Sequence, residues 1–177
     1  MQTIAEKESK IFEILKEKFG YRNTMQAPKL QKIVVAAKTG SIKDKNKVEV
    51  IIDRLARITG QKPKANVAKK SIATFKLREG SIIGYSVTLR GKRMQDFLDK
   101  LIHVALPRTR DFRGLNVTAI DEMGNYTIGI KEHTIFPETS DEELSNVFGI
   151  GVTLVTSAKT KEEAEAFLRE LGLPLKK

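Results

Sequence analysis

Apolar side chains return at near-helical spacing along the first twenty residues. Ile4, Ile11, Leu15 and Phe19 lie on one side with Phe12 beside them, while Glu6, Lys10, Glu13 and Lys16 occupy the other. That period predicts an amphipathic helix. After Gly20 and Pro28, the run from Leu30 to Val35 is short and rich in β-branched residues, as a strand requires. Helical spacing then resumes with Val48, Ile51, Ile52, Leu55 and Ile58, and Gly60 stands where a left-handed cap would end the helix before Pro63. From Lys64 to Glu79 single hydrophobic residues mix with Lys69, Lys70, Lys76 and Arg78, a pattern compatible with either ribbon or loop.

The alternation sharpens between Ile82 and Arg90. Ile83, Tyr85, Val87 and Leu89 fall on one face, expected to be dry, and Gly84, Ser86, Thr88 and Arg90 on the other. Beyond Gly91, the residues Met94, Phe97, Leu98, Leu101, Ile102 and Ala105 form one helical stripe ending before Pro107. Tyr126, Ile128 and Ile130 alternate in a later strand, and Val152, Leu154 and Thr156 in another. Ser140 with Glu143, and Thr160 with Glu163, read as capping boxes opening two short helices. These elements intersperse without regular strand-helix alternation. The expected fold is therefore α+β: a mainly antiparallel sheet with helices packed on one face, in two layers. At 177 residues one compact domain is expected over 1–177, with a basic N-terminal part over about 1–80 and a C-terminal part over about 81–177 that ends acidic. The uncovered sheet face would be open to a ligand.

Charge changes the picture more than composition does. The formal net charge is +10, divided unevenly. Residues 1–59 carry 13 basic and 7 acidic side chains, residues 60–113 carry 13 and 4, and residues 114–177 carry 6 and 11. A polyanion would be gripped by the first two-thirds and repelled by the last. With no cysteine, disulfides and thiolate chemistry are excluded, and His103 and His133 are the two imidazoles. Neither is expected to form a metal site or a general base, and both read as packing or surface residues. The cluster Asp141, Glu142 and Glu143 suits a helix dipole better than a divalent ion. No Walker loop, GxGxxG, GxSxG or HExxH occurs, and Gly149-x-Gly151 precedes a strand, so it reads as shaping a strand start. No catalytic residue, cofactor or metal is expected. Without a long apolar run or a signal-like N-terminus, the chain reads as soluble and cytoplasmic, with no membrane partner.

RNA suits the remaining ingredients. Arg90, Lys92 and Arg93 gather where a strand hands over to a helix, and Thr88 shares the polar strand face with Arg90. Cations neutralise phosphates, while hydroxyls and amides read ribose 2′-OH groups and base edges. Aromatic residues make up 6% of the chain, with no Trp, which argues against stacking of splayed single-stranded bases and for a folded RNA.

Five segments carry a resemblance: MQAPKLQKIVV (25–35), ITGQKPKANVAKKSIATFKLREG (58–80), YSVTLRGKRM (85–94), LPRTRDFRGL (106–115) and GNYTIGIKEHTIFPE (124–138). In order and in register, they resemble the bacterial L-five family of large-subunit ribosomal proteins. The resemblance implies a non-enzymatic protein that binds 5S ribosomal RNA and helps to anchor it in the central protuberance. It further implies proximity to 23S ribosomal RNA, neighbouring large-subunit proteins and the peptidyl-site tRNA, and a bridge to a basic protein of the small-subunit head. Carried over by position, Gln61 and Thr88 match family positions that hydrogen-bond the 5S RNA, and Lys62, Arg90, Lys92 and Arg93 beside them are the candidate cationic contacts to it. Lys69, Lys70, Lys76 and Arg78 become the loop facing tRNA, and Arg110, Asp111, Phe112 and Arg113, with the acidic last third, the bridge. One departure stands out: the family's Asn-x-Gly-x-Gly after the first strand is here Ala36, Ala37, Lys38, Thr39, Gly40, and Ala36 offers no side-chain hydrogen bond. Lys38 or Thr39 would have to compensate, or RNA affinity would be lower. The rival readings are a stand-alone RNA-binding regulatory module outside the ribosome and an RNA-processing enzyme, the latter disfavoured by the missing acid-base residues.

Overall fold

The computed structural model describes residues 4–42, 44–140 and 146–176. Among these, helices α1 (Ile4–Phe19), α2 (Lys45–Thr59), α3 (Gly91–Lys100) and α4 (Lys161–Leu171) accompany five strands. The strands are β1 (Leu30–Lys38), β2 (Lys64–Val67), β3 (Ile82–Leu89), β4 (Tyr126–Ile130) and β5 (Ile150–Thr156). They form one antiparallel sheet in the order β2-β3-β1-β5-β4, the α+β class that the patterning predicts. The chain clusters into two units, one made of Met1–Ile33, Leu89–Ile128 and Thr153–Lys177, the other of Val34–Thr88 and Gly129–Val152.

In the first unit α1 packs on α3 and α4. The predicted side of α1 is the buried one, with Ile4, Ile11 and Leu15 inside and Phe12 and Phe19 half-buried. Lys7 Nζ donates to the Leu171 carbonyl at 3.2 Å, and the Tyr21 hydroxyl donates to Glu163 Oε1. Burial, reinforced by the Glu163 carboxylate, raises the Tyr21 phenol well above its ordinary value, so it stays a donor. The expected box at the start of α4 forms on one side only. Thr160 Oγ1 accepts from the Glu163 N–H at 3.3 Å, but the Glu163 carboxylate is taken up by the Lys159 N–H at 2.7 Å and by Tyr21. A box that the patterning did not suggest stands at Asn23, whose Oδ1 accepts from the Met25 N–H while Gln26 Oε1 accepts from the Asn23 N–H.

All six stripe residues from Met94 to Ala105 are buried, and the stripe's last turn, Leu101–Ala105, widens into a π-helix. Tyr126 donates its hydroxyl to the Asn116 carbonyl at 3.0 Å, and burial pushes its pKa up to about 12. Thr156, buried in β5, donates to the Gly124 carbonyl at 2.7 Å. The alternations expected for β4 and β5 hold, with Tyr126, Ile128, Ile130, Val152, Leu154 and Thr156 inside.

In the second unit α2 buries Ile51, Leu55 and Ile58, and it ends at Gly60 in the left-handed conformation (φ 67°) as predicted. It packs against the 3-10 turn Pro137–Thr139. His133 is a packing histidine: it is buried, stacks on Phe148 at 4.1 Å between centroids, and accepts the Phe148 N–H at Nδ1. Asp141, Glu142 and Glu143, and with them the Ser140–Glu143 pair, lie outside the described residues.

Two strand expectations change. β1 continues past Val35 to Lys38. On β3 the expected dry face is buried only at Val87 and Leu89, whereas Tyr85 is half-buried and Ile83 is 37% exposed. The register between β2 and β3 shifts between Asn66 and Val67, so the ribbon's alternation breaks before Ile83.

Candidate nucleic-acid interface

The ambiguous stretch after Pro63 begins as a ribbon. Lys64 pairs with Ser86, Ala65 with Tyr85 and Asn66 with Gly84. Paired residues point to the same side, so Lys64, Asn66, Ser86 and Thr88 share one side, and Ala65, Tyr85 and Val87 the other. On the polar side Thr88 and Lys64 are exposed, and the Ser86 hydroxyl donates to Asn66 Oδ1 at 3.1 Å. A Cβ at Gly84 would lie 2.6 Å from the Ala37 carbonyl oxygen, which is why β3 can press this closely on β1. Along the second unit's part of β1, buried Val35 and Ala37 alternate with half-buried Val34 and Ala36, and Lys38 is exposed. The less buried positions are thus Val34, Ala36 and Lys38, and no aromatic residue rises from them. Such a surface admits the backbone of a folded RNA closely.

Gln61 follows the α2 cap and is half-buried. Thr59 Oγ1 fixes its backbone, accepting from the Gln61 N–H at 3.4 Å while donating to the Leu55 carbonyl at 2.7 Å. Lys62 is exposed, and the chain runs on through buried Pro63 into β2. The three neutral or single-charge positions Gln61, Lys62 and Thr88 therefore belong to one unit. Of the two residues considered as substitutes for Ala36, Thr39 is 4% exposed and its N–H is bonded to the Ile83 carbonyl at 3.1 Å, whereas Lys38 is exposed.

Lys69, Lys70, Lys76 and Arg78 are all exposed on the tip that joins β2 to β3. The tip is closed by its own hydrogen bonds: Ile72 and Leu77 exchange N–H to carbonyl bonds at 2.9 and 3.1 Å, and Ala68 N–H bonds the Ser81 carbonyl at 2.8 Å. A 3-10 turn, Ala73–Phe75, sits between, with Lys76 left-handed (φ 50°). The four cations are thereby presented on an ordered lobe of the second unit.

The first unit holds the other cations. Arg90 is the residue preceding α3 and makes no capping bond there, its Nη1 reaching instead to the Gln31 carbonyl at 3.4 Å. Lys92 and Arg93 are exposed in the first turn of α3, which contains no acidic residue. This places cations around a helix end that already favours anions. Arg110, Asp111 and Arg113 are exposed, with Phe112 half-buried and Asp111 left-handed (φ 52°). Their turn is anchored by Leu115, whose N–H bonds the Pro174 carbonyl at 2.8 Å and whose carbonyl accepts from Lys176 N–H at 2.8 Å.

Residue patterning missed the Asn66–Ser86 pair, whose strand of four residues is too short for a period to show. It also overlooked Asp99, one turn before His103, whose Oδ1 lies 4.0 Å from His103 Nε2. Both groups are about one-third exposed, and among the described residues no three His, Asp or Glu side chains gather to hold a metal ion. No helix of the described residues is long and apolar enough to cross a membrane.

Comparison with known proteins places the chain in a family. The family model described as ribosomal protein L5 matches residues 23–78, and the model for the C-terminus of the same ribosomal family matches residues 82–175. The large ribosomal subunit protein uL5 of Flavobacterium johnsoniae is 49% identical over 173 residues, covering 97% of this chain and 94% of its own. Proteins of the same description from Mycoplasma mycoides and a Thermoanaerobacter species are 52% identical over 166 residues and 46% over 179, covering 93% and 100% of this chain and 92% and 100% of their own. With both family models matched in order and relatives aligned along nearly the whole chain, this is a member of the bacterial L5 family of ribosomal proteins, structural components of the ribosome and not enzymes.

Proposed function

We propose that the chain is a structural constituent of the large ribosomal subunit in the cytoplasm that binds 5S ribosomal RNA and helps to anchor it in the central protuberance. The observation that carries this is the polar side of β2 and β3, where exposed Thr88 and Lys64 adjoin a hydrogen-bonded Ser86–Asn66 pair. Gln61 and Thr88 supply oriented hydrogen bonds, and Lys62, Arg90, Lys92 and Arg93 neutralise phosphates. The exposed cations Lys69, Lys70, Lys76 and Arg78 face the peptidyl-site tRNA. Arg110 to Arg113 and the acidic last third contact a basic protein of the small-subunit head, and 23S RNA and neighbouring large-subunit proteins complete the surroundings.

The test is 5S RNA binding across a salt series. Gln61→Ala and Thr88→Ala weaken binding by roughly tenfold with little change in salt slope, whereas Lys92→Ala lowers the slope by ~0.7 to 0.9 per lost phosphate contact. Wild-type affinity in both neutral variants would sink the assignment. Co-sedimentation of nearly all the protein with large subunits at moderate salt excludes a stand-alone module.

A further inference from the structure

The carboxamide of Asn66 is held in place on an edge strand. β2 is the outermost strand of the sheet on its side, and Asn66 is half-buried on the same side as Lys64, Ser86 and exposed Thr88. Its partner Ser86 stands diagonally across the ribbon and donates to Oδ1 at 3.1 Å. That bond fixes which way the amide turns. With Oδ1 held by the hydroxyl, the two N–H donors of Nδ2 face away from Ser86, and a pre-oriented donor loses little freedom on meeting an acceptor. Beside β3 in the sheet order lies β1, whose Ala36 contributes a methyl and no polar group. The oriented donors of this surface are thus concentrated on β2 and the second half of β3.

We propose that Asn66 is a further RNA-reading residue, donating from Nδ2 to an acceptor in the shallow groove of a folded RNA, and that Ser86 is its positioning residue. The inference rests on the reading of this side as the RNA-facing one. The acceptor is a ribose 2′-oxygen or a base-edge oxygen or nitrogen, the groups that an A-form helix displays in its wide minor groove. Lys64, exposed on the same strand and side, supplies the nearby positive charge, so that the neutral donor adds discrimination and the cation adds attraction.

Binding of a 5S RNA transcript by the full-length protein tests this. Asn66→Ala should weaken binding about tenfold without altering the salt slope. Asn66→Asp keeps the shape and still accepts from Ser86 but presents an anionic acceptor instead of a donor, so it should weaken binding further. Ser86→Ala should cost about threefold alone and nothing once Asn66 is alanine, because its effect passes through the amide. Lys64→Ala should lower the slope. Thermal melts of all variants establish that they are folded, and the isosteric Asn66→Asp serves where alanine perturbs the strand. Interference mapping with randomly placed 2′-deoxynucleotides separates the acceptors: a position that matters to wild type but not to Asn66→Ala marks a 2′-oxygen, and otherwise the base edge is read. Wild-type affinity in both Asn66 variants, with Gln61→Ala and Thr88→Ala still weakened, overturns the inference and leaves the RNA reading standing. Unchanged binding in both Asn66 variants and in Gln61→Ala and Thr88→Ala removes both. Additive losses from Ser86→Ala and Asn66→Ala overturn the positioning role.

Discussion

The starts of α3 and α4 solve the same problem in opposite ways. Each helix exposes unbonded N–H groups and the positive end of its dipole at its first turn. At α4, Thr160 caps the Glu163 N–H, Glu162 and Glu163 supply negative charge, and the Glu163 carboxylate also binds the Lys159 N–H and the Tyr21 hydroxyl. At α3, the preceding residue is Arg90 without a capping bond, and Lys92 and Arg93 add positive charge where the dipole is already positive. One start is satisfied within the protein. The other has no capping side chain at Arg90 and no acidic residue in its first turn, as the proposed binding of RNA phosphates requires, and a locally unfavourable choice of this kind is what a functional position leaves behind.

The comparison is broken most forcefully at Glu163, which is 8% exposed and joins α4 to the segment after α1. Glu163→Ala removes two hydrogen bonds to a charged acceptor and strands the Tyr21 hydroxyl, so urea unfolding should show a loss of ~3 kcal/mol. Binding to 5S RNA by the folded fraction should not change. A loss below ~1 kcal/mol would mean that the α4 start is not stabilised as its geometry implies. Tyr21→Phe, which deletes one of the two bonds and leaves Glu163 Oε1 without that donor while Oε2 keeps the Lys159 N–H, should cost about half as much.

This difference was partly legible beforehand. Thr160 and Glu163 stand three residues apart, and that local spacing announces an N-cap. The stripe Met94 to Ala105 likewise predicted its own burial, because a helix face depends on residues a turn apart. What spacing missed depends on contacts distant in sequence. Glu163 does not close its box because Tyr21, 142 residues earlier, draws its carboxylate away. Ile83 is exposed despite a clean alternation because the register with β2 shifts at Asn66 and Val67. On the candidate site, charge located the lobe of Lys69 to Arg78 and the cluster at Arg90, since exposed cations need no partner to be recognised. Ser86 and Asn66 are 20 residues apart on different strands, and only the pairing register puts them together.

Thr160→Ala probes the capped start directly. Loss of the bond to the Glu163 N–H should lower stability by ~1 kcal/mol, read as a shift of the urea midpoint at constant slope. RNA affinity should stay at the wild-type value, because neither residue lies among the proposed RNA contacts.

The smallest effect on stability should also be the most informative, because its sign is reversed. Arg90→Ser places a capping hydroxyl before α3 and removes a cation from the positive end of its dipole, at the cost of the long 3.4 Å contact to the Gln31 carbonyl. Stability should therefore rise, by ~0.5 kcal/mol. The same change withdraws one phosphate partner, so the salt slope of 5S RNA binding should fall by ~0.7 to 0.9 and affinity should drop at low salt. A helix start shaped only for folding would show the gain without the loss. A variant that is both less stable and unchanged in RNA binding would mean that the missing cap at α3 serves the fold, and that the contrast between the two helix starts has nothing to do with an anion.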